Sequence, residues 1–335
     1  MTQTASFWTP IKNSTLQCYL CPHNCKIQPN ETGICGVRQN QNGTLKALTY
    51  QKCSSIAVDP IEKKPLFHFH PTTNVLSLGS IGCNFQCAHC QNYSISQKKP
   101  GDYPLTELSP QTAIKEAQMR QCQGIAWTYN EPTIWYEYTI DTAQLAKKHG
   151  LYTVYVTNGY INEEPLRQLS QYLDAMNIDV KAYDDKFYSK ICKAHLEPVK
   201  KTCKLAQSLG IHIELTYLVI PEKNDTEKEI QNFSNWIAEN LGRDIPIHFS
   251  RFHPDYQLTN INITPIETLL RIKKIAEKAG LQYIYLGNIL YKDAENTKCP
   301  NCGTELIRRQ GFSSQIIGLD ENKCKKCHTS IPLVK

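Results

Sequence analysis

Three cysteines, Cys83, Cys87 and Cys90, fall within the stretch Gly82-Cys83-Asn84-Phe85-Gln86-Cys87-Ala88-His89-Cys90-Gln91-Asn92, directly after the apolar run Val75 to Ser80. The C-x3-C-x2-C spacing lets one short loop present three thiolates to a single face of a cluster. A structural zinc ion takes four closed ligands and a 4Fe-4S cluster is normally held by four cysteines, so a three-cysteine loop leaves one iron open to something other than protein. An open iron is a reaction site. The plainer reading is a structural metal loop completed by a distant cysteine such as Cys53, but this spacing after a strand is more specific than a lone C-x-x-C.

The remaining cysteines, among 15 in the 335-residue chain, are grouped rather than spread as pairs. In a reducing, cytoplasmic setting that grouping means metal. Cys18, Cys21, Cys25 and Cys35 form a four-cysteine module that can close around zinc or an auxiliary Fe-S cluster, because tetrathiolate chemistry suits both. Cys299, Cys302, Cys324 and Cys327 read C-x2-C-x21-C-x2-C, the spacing of a zinc ribbon. Cys122, Cys192 and Cys203 have no partner at ligand spacing and read as buried apolar cysteines.

The elements that must position these groups follow from periodicity. From Val75 onward, β-branched apolar runs alternate with amphipathic stretches, which predicts βα units and a parallel sheet. Predicted strands are 75–80, 124–128, 152–157, 175–182, 212–219, 245–251 and 283–286; predicted helices are 112–121, 134–149, 165–172, 197–209, 226–241 and 265–280. Six or seven such units define an α/β fold, a TIM-like (β/α) barrel, partial or complete. The organisation read from the chain is 1–50 four-cysteine metal-binding module, 51–73 connector, 74–290 barrel and 297–335 zinc ribbon. The connector, Asp59 to Pro71, is broken by proline and is expected to pack across the barrel mouth. Its His68 and His70, alternating with aromatics, read as packing residues.

Chemistry in such barrels sits where strands end, which selects a set of polar residues. Thr128-Tyr129-Asn130-Glu131-Pro132 ends the second predicted strand, with a helix N-terminus as the alternative use of Asn130 and Glu131. Thr157 and Asn158 end the third. Asp179 and Lys181 point to one face of the fourth, where an inward pair needs an ionic ligand or each other. His248 faces the barrel interior, and Asn288 follows the last strand.

The apolar content of 41% supports a large core, and a net charge of +6 from 37 basic and 31 acidic residues, without a long Lys or Arg run, does not indicate an extended nucleic-acid surface. Neither a leader nor an apolar run near eighteen residues appears, so no membrane association is expected.

The sequence resembles the radical S-adenosylmethionine (SAM) enzymes of the AmmeMemoRadiSam system, relatives of the pyruvate formate-lyase-activating enzymes. The resemblance rests on the Cys18-x2-Cys21-Pro22 start ending in Cys35-Gly36-Val37-Arg38, on Asp59 through Leu66, on Gly82 through Asn92, on His248 through Pro254, on Tyr285-Leu286-Gly287-Asn288, and on the ribbon. It implies that Cys83, Cys87 and Cys90 bind a 4Fe-4S cluster and that SAM completes the open iron. Reductive cleavage would then give a 5′-deoxyadenosyl radical that abstracts hydrogen from a protein or small molecule. Glu131 becomes the candidate for the SAM ammonium and Lys181 for its carboxylate, with Asn130, Thr157, Asn158, Asp179, His248 and Asn288 as further contacts, while His89 shields the cluster. The sequence departs from the activases at Tyr129-Asn130-Glu131-Pro132, where they carry a glycine-glycine-glutamate-proline turn, and at Val156, where they carry an aspartate. Implied partners are a low-potential electron donor such as flavodoxin or ferredoxin, and Memo-like and Amme-like proteins. The alternatives are a glycyl-radical-enzyme activase and a non-catalytic, metal-stabilised module binding nucleic acid or protein.

Overall fold

The computed structural model describes residues 2–335. Its centre is one eight-stranded sheet whose strands lie in chain order: β1 (Ser55–Pro60), β2 (Asn74–Gly79), β3 (Gly124–Trp127), β4 (Tyr152–Thr157), β5 (Ala175–Asp179), β6 (His212–Val219), β7 (Ile247–Arg251) and β8 (Ile284–Gly287). β2 to β8 are parallel, and β1 runs antiparallel to β2 at one edge. β1 and β8 are the two ends of the order, so the hydrogen-bonded sheet is open rather than a closed barrel.

Six helices connect the parallel strands: α1 (Pro110–Met119), α2 (Tyr136–Lys148), α3 (Glu163–Leu169), α4 (Leu196–Ser208), α5 (Glu227–Asn240) and α6 (Ile266–Lys278). They start where side chains can satisfy free N–H groups. Ser109 accepts from Thr112 N before α1, and Thr226 accepts from Glu229 N before α5. Each then turns one apolar stripe inward, as with Ile230, Phe233 and Ile237 of α5. These stripes meet the strand face carrying Ile178, Leu215, Tyr217, Ile247 and Phe249 in one buried cluster. None of these helices, nor any other among the described residues, is long and apolar enough to cross a membrane.

The opposite face is polar, because period-two alternation sends the intervening residues there. Asp179, Thr216, His248 and Tyr285 lie side by side across β5, β6, β7 and β8, and Asn177 lies beside Glu214 one step earlier. The segment Pro65 to Phe69 covers this face. Pro65 O accepts from Asn177 Nδ2 at 2.7 Å, and Phe67 N and His68 N donate to the Glu214 carboxylate at 3.0 and 2.7 Å. The connector therefore runs along the sheet from the strand C-terminal ends toward their beginnings, where Phe69 meets His212, instead of lying only across the mouth. Glu214 draws it there. A fully buried carboxylate needs donors, and two backbone N–H groups of an irregular segment supply them. His68 does pack, against Tyr283, with its Nε2 2.7 Å from Tyr285 Oη; its imidazole is pushed down to about 3 by burial.

The sequence-based strand limits hold to within a few residues, except that the fourth strand ends at Asp179 rather than at 182. Val180 N still bonds to Thr216 O, but beyond it Asn224 Nδ2 caps Lys181 O and the ladder stops. Strand β1 was outside the expected set and lies within the stretch read as connector.

Two small modules flank the sheet. In the N-terminal one, Gln3–Thr4, Thr44–Ala47 and Arg38–Gln41 form one antiparallel sheet, and Trp8–Pro10, Leu16–Cys18 and Lys26–Ile27 another. The C-terminal one pairs Thr297–Lys298, Glu305–Gln310 and Ser313–Ile316. Its apolar residues Leu306, Ile307, Leu319 and Ile331 share a cluster with Phe67, Tyr283 and Tyr285, which fixes it against the β8 edge.

Candidate active site and metal centres

The loop between β2 and the short helix Tyr93–Ser96 carries Cys83, Cys87 and Cys90, and all three line a cavity of about 530 Å3. The loop is braced on several sides. Gln86 N and Ala88 N donate to Cys192 O and Ile191 O at 3.0 Å each, Gln257 N donates to Ala88 O, and Asn130 Nδ2 donates to Gly82 O at 3.0 Å. Polar hydrogens also reach the sulfurs. Phe85 N lies 3.3 Å and Asn158 Nδ2 3.8 Å from Cys83 Sγ, and Ser96 Oγ lies 3.1 Å from Cys90 Sγ.

The thiols are electrostatically unequal. Burial and then the Glu131 carboxylate push Cys83 well up, and burial raises Cys90. The Cys192 thiol beside Cys87 lowers its pKa, against burial and with help from the Lys181 ammonium. Cys192, expected to be an inert core cysteine, thus sits against the loop, a contact invisible in sequence because the two residues belong to different βα units. Three thiols with N–H and O–H donors around them suit an Fe-S cluster, whose sulfurs are acceptors. His89 adds to the fit: it is buried, its Nδ1 has no partner, and burial followed by Lys181 keeps its imidazole neutral, lowered to about 3.

The residues expected at strand ends, Asn130, Glu131, Thr157, Asn158, Asp179, Lys181, His248 and Asn288, all line the same cavity. Several are occupied with one another. Glu131 accepts from Thr133 N at 2.9 Å, Thr157 Oγ1 at 2.6 Å and Asn158 N at 2.8 Å, and so ties β4 to the turn after β3. Asn130 Oδ1 accepts from Ser80 N. Lys181 Nζ lies 2.6 Å from Asp179 Oδ2, a pair on the cavity wall rather than on the outer surface. His248 Nε2 lies 2.7 Å from Glu214 Oε2, and Asn288 Nδ2 donates to Arg251 O at 3.3 Å.

The cavity also holds groups that sequence reasoning did not select. Thr216 and Ser250 lie on the polar strand face already inferred from alternation. Lys64 comes from the connector, paired with Asp59 at 2.7 Å and lowered to about 8 by burial. Phe312 comes from the C-terminal module and Glu295 from the linker just before it, and burial raises the Glu295 carboxyl to about 7. Nothing in the sequence joins that module to the cavity.

The outer cysteine groups differ. Cys299, Cys302, Cys324 and Cys327 have all four sulfurs within 4.8 Å of one another, able to hold a metal ion. Cys18, Cys21, Cys25 and Cys35 line one small pocket but do not form such a group of sulfurs mutually within 4.8 Å.

An open α/β sheet with a three-cysteine loop beyond its first parallel strand defines the class. The profile of the Radical SAM superfamily matches residues 78–234, from the end of β2 into α5, and a match to that superfamily implies an Fe-S cluster and SAM. It is 48% identical over 332 residues to "Uncharacterized protein MJ0808" of Methanocaldococcus jannaschii, covering 98% of this chain and 99% of the relative. It is 22% identical over 205 residues to the pyruvate formate-lyase-activating enzyme of Clostridium pasteurianum, covering 58% of this chain and 86% of that one. Among solved structures, Streptococcus suis SuiB bound to S-adenosylmethionine aligns with a TM-score of 0.51 at 13% identity, over 64% of this chain and 52% of that one, a likeness of fold.

Proposed function

We propose that this chain is a radical SAM enzyme in which Cys83, Cys87 and Cys90 hold a 4Fe-4S cluster and the adjoining cavity binds SAM. The observation that carries the reading is the convergence of the three thiols and all eight polar strand-end residues on one cavity. Held there, the cluster and SAM would supply one-electron reductive cleavage of SAM to methionine and a 5′-deoxyadenosyl radical able to take hydrogen from a protein or small-molecule substrate. The protein's part is to bind, orient and exclude water. Lys181 has donor capacity left beyond Asp179 for a ligand carboxylate, and the lone pairs of Glu131 not used by Thr133, Thr157 and Asn158 are available to an ammonium. His89, neutral and buried, covers the cluster position.

The sequence motifs support membership of the AmmeMemoRadiSam system, with Memo-like and Amme-like partners and a low-potential electron donor. The similarity to the Clostridium activating enzyme supports a second reading, activation of a glycyl-radical enzyme. A glycyl-radical EPR doublet in a candidate partner separates it from the first.

The direct test is anaerobic reconstitution of wild type and Cys87→Ala, followed by dithionite, SAM and detection of 5′-deoxyadenosine. Wild type is expected to make it and the variant to lose it. A fully reconstituted wild type that leaves SAM intact overturns the proposal.

A further inference from the structure

The N-terminal pocket is lined by Cys18, Cys21, Cys25 and Cys35 together with Arg38 and Asn84. Its geometry differs from that of the C-terminal group. There, two Sγ pairs lie 3.5 and 3.7 Å apart, the spread that a single tetrahedral ion with metal-sulfur bonds of about 2.3 Å imposes on its ligands. Among the described residues only the C-terminal four form such a group within 4.8 Å, so neither the N-terminal four nor the Cys83 triad gathers three sulfurs that tightly. Thiolates that each take a different iron of a cubane stand farther apart than thiolates sharing one ion.

Arg38 supplies a second, independent sign. It is buried at 2% exposure, spends Nη1 on Glu137 at 3.1 Å and Nη2 on Ser6 O, and leaves Nε without a partner. A buried N–H beside four cysteines and lacking an acceptor matches a site whose acceptors are the sulfurs of a bound anionic cluster.

We propose that Cys18, Cys21, Cys25 and Cys35 hold a second 4Fe-4S cluster, separated from the Cys83 site by a wall one residue thick. Asn84 is that wall. It follows Cys83 in the chain, lines the N-terminal pocket, has its carbonyl 2.7 Å from His23 Nε2, and takes Asn158 Nδ2 on its side-chain oxygen at 2.8 Å. Gly82 seals the same seam: its φ is +83°, and a Cβ there would come within 2.6 Å of Cys35 O. The place suits an electron relay. The second cluster accepts one electron from an external low-potential one-electron donor and passes that one electron inward, returning to its starting state with no bond made or broken. The relay rests on the reading that Cys83, Cys87 and Cys90 hold the first cluster.

Metal and sulfide analysis of the reconstituted full chain tests it, with EPR of the dithionite-reduced protein. Wild type is expected to carry about eight irons and one zinc, and Cys83→Ala/Cys87→Ala/Cys90→Ala about four irons and one zinc. About four irons and two zincs in wild type overturns the second cluster without recourse to any variant. The reduced wild-type spectrum should show magnetic coupling that vanishes in the triple variant and in Cys21→Ser; two uncoupled signals overturn the shared wall. An eight-iron wild type that fails to cleave SAM would sink the proposed function instead, so the two failures are distinguishable.

Discussion

Glu214 should be the residue on which the interior of the sheet depends. Its carboxylate is fully buried and lies within hydrogen-bond distance of four groups: Phe67 N at 3.0 Å and His248 Nε2 at 2.7 Å on one oxygen, His68 N at 2.7 Å and His212 Nε2 at 3.1 Å on the other. In Glu214→Gln, one oxygen becomes an NH2 facing one of these pairs. A histidine can switch tautomer to accept from it, but the backbone N–H cannot, and leaving that donor buried and unsatisfied costs about 1–3 kcal/mol. The bonds to the remaining oxygen also fall from charge-assisted to neutral strength, about 1 kcal/mol each, for a total of about 3–5 kcal/mol. At about 1.4 kcal/mol per tenfold, amide exchange at Phe67 and His68, the two amides of the 62–72 segment that hang on this carboxylate, should accelerate by about two to three orders of magnitude. Burial alone would raise the Glu214 pKa; hydrogen bonds from His212 and His248 outweigh it and hold the group well below the ordinary carboxylate range. A depressed carboxyl contributes stability that is present above its unfolded pKa of about 4.3 and is lost as pH falls through the folded value. The gap between wild type and Glu214→Gln in urea denaturation should therefore be full at pH 7 and narrow progressively as pH falls below about 4. A loss under about 1 kcal/mol at pH 7, with exchange at Phe67 and His68 unchanged, would refute the reasoning.

Three further predictions concern the joints around the cavity. Arg309 donates to Glu295 O, Thr297 Oγ1 and Phe67 O, with its guanidinium 4.1 Å from the Phe67 ring centre. Arg309→Met should loosen the C-terminal module by about 2–4 kcal/mol, read as faster limited proteolysis near residues 289–297. Glu295, raised to about 7 by burial, favours the folded state when protonated, so its stabilising effect fades as pH rises from about 4.5 through 7. Glu295→Gln should accordingly equal wild type in melting temperature at pH 5 and exceed it by about 1–2 kcal/mol of stability at pH 8, after discounting for partial exposure; equal curves at both pH values refute this. Gly82→Ala must move the loop off Cys35 O from a left-handed backbone, costing more than about 2 kcal/mol, and under the proposed readings it should lower iron retention at the two N-terminal cysteine groups while leaving the metal content of the C-terminal four-cysteine group unchanged.

Much of the sheet was legible because parallel strands buried on both faces read as apolar runs, and the helices between them repeat their apolar residues at helical spacing. Strand β1 escaped because Asp59 and Pro60 mark a break in sequence, whereas an antiparallel edge strand tolerates proline at its end. The cysteine spacings picked out the three groups, and the C-terminal four do lie close enough together to hold one ion, since ligand chemistry is local. Other parts of the cavity were not local. Glu214 is one acid in a strand until Phe67 and His68 arrive from the connector, and Cys192 is an unpaired thiol until a turn after β5 brings it under Cys87. Phe312, and Glu295 in the linker before it, reach the cavity because the apolar cluster and Arg309 fix the C-terminal module to Phe67.

The pairing of charges inside the cavity bears on what it can admit. Asp179 with Lys181, and Asp59 with Lys64, are held as ion pairs at 2.6 and 2.7 Å, and Glu131 is held by three donors. An anion alone would meet Asp179 and Glu131, and a cation alone would meet Lys181 and Lys64, each with an unfavourable neighbour close by. A zwitterion meets neither difficulty: its carboxylate takes a free donor of Lys181 while its ammonium takes lone pairs left on Glu131, and both protein groups stay where their existing bonds have set them. The amino-acid end of SAM is such a zwitterion. Under the proposed reading, the hydrogen bonds that tie these side chains to the scaffold are the preorganisation that binding needs, and Thr157→Val, which frees Glu131 from the Thr157 hydroxyl, should weaken SAM binding even though it leaves the carboxylate in place.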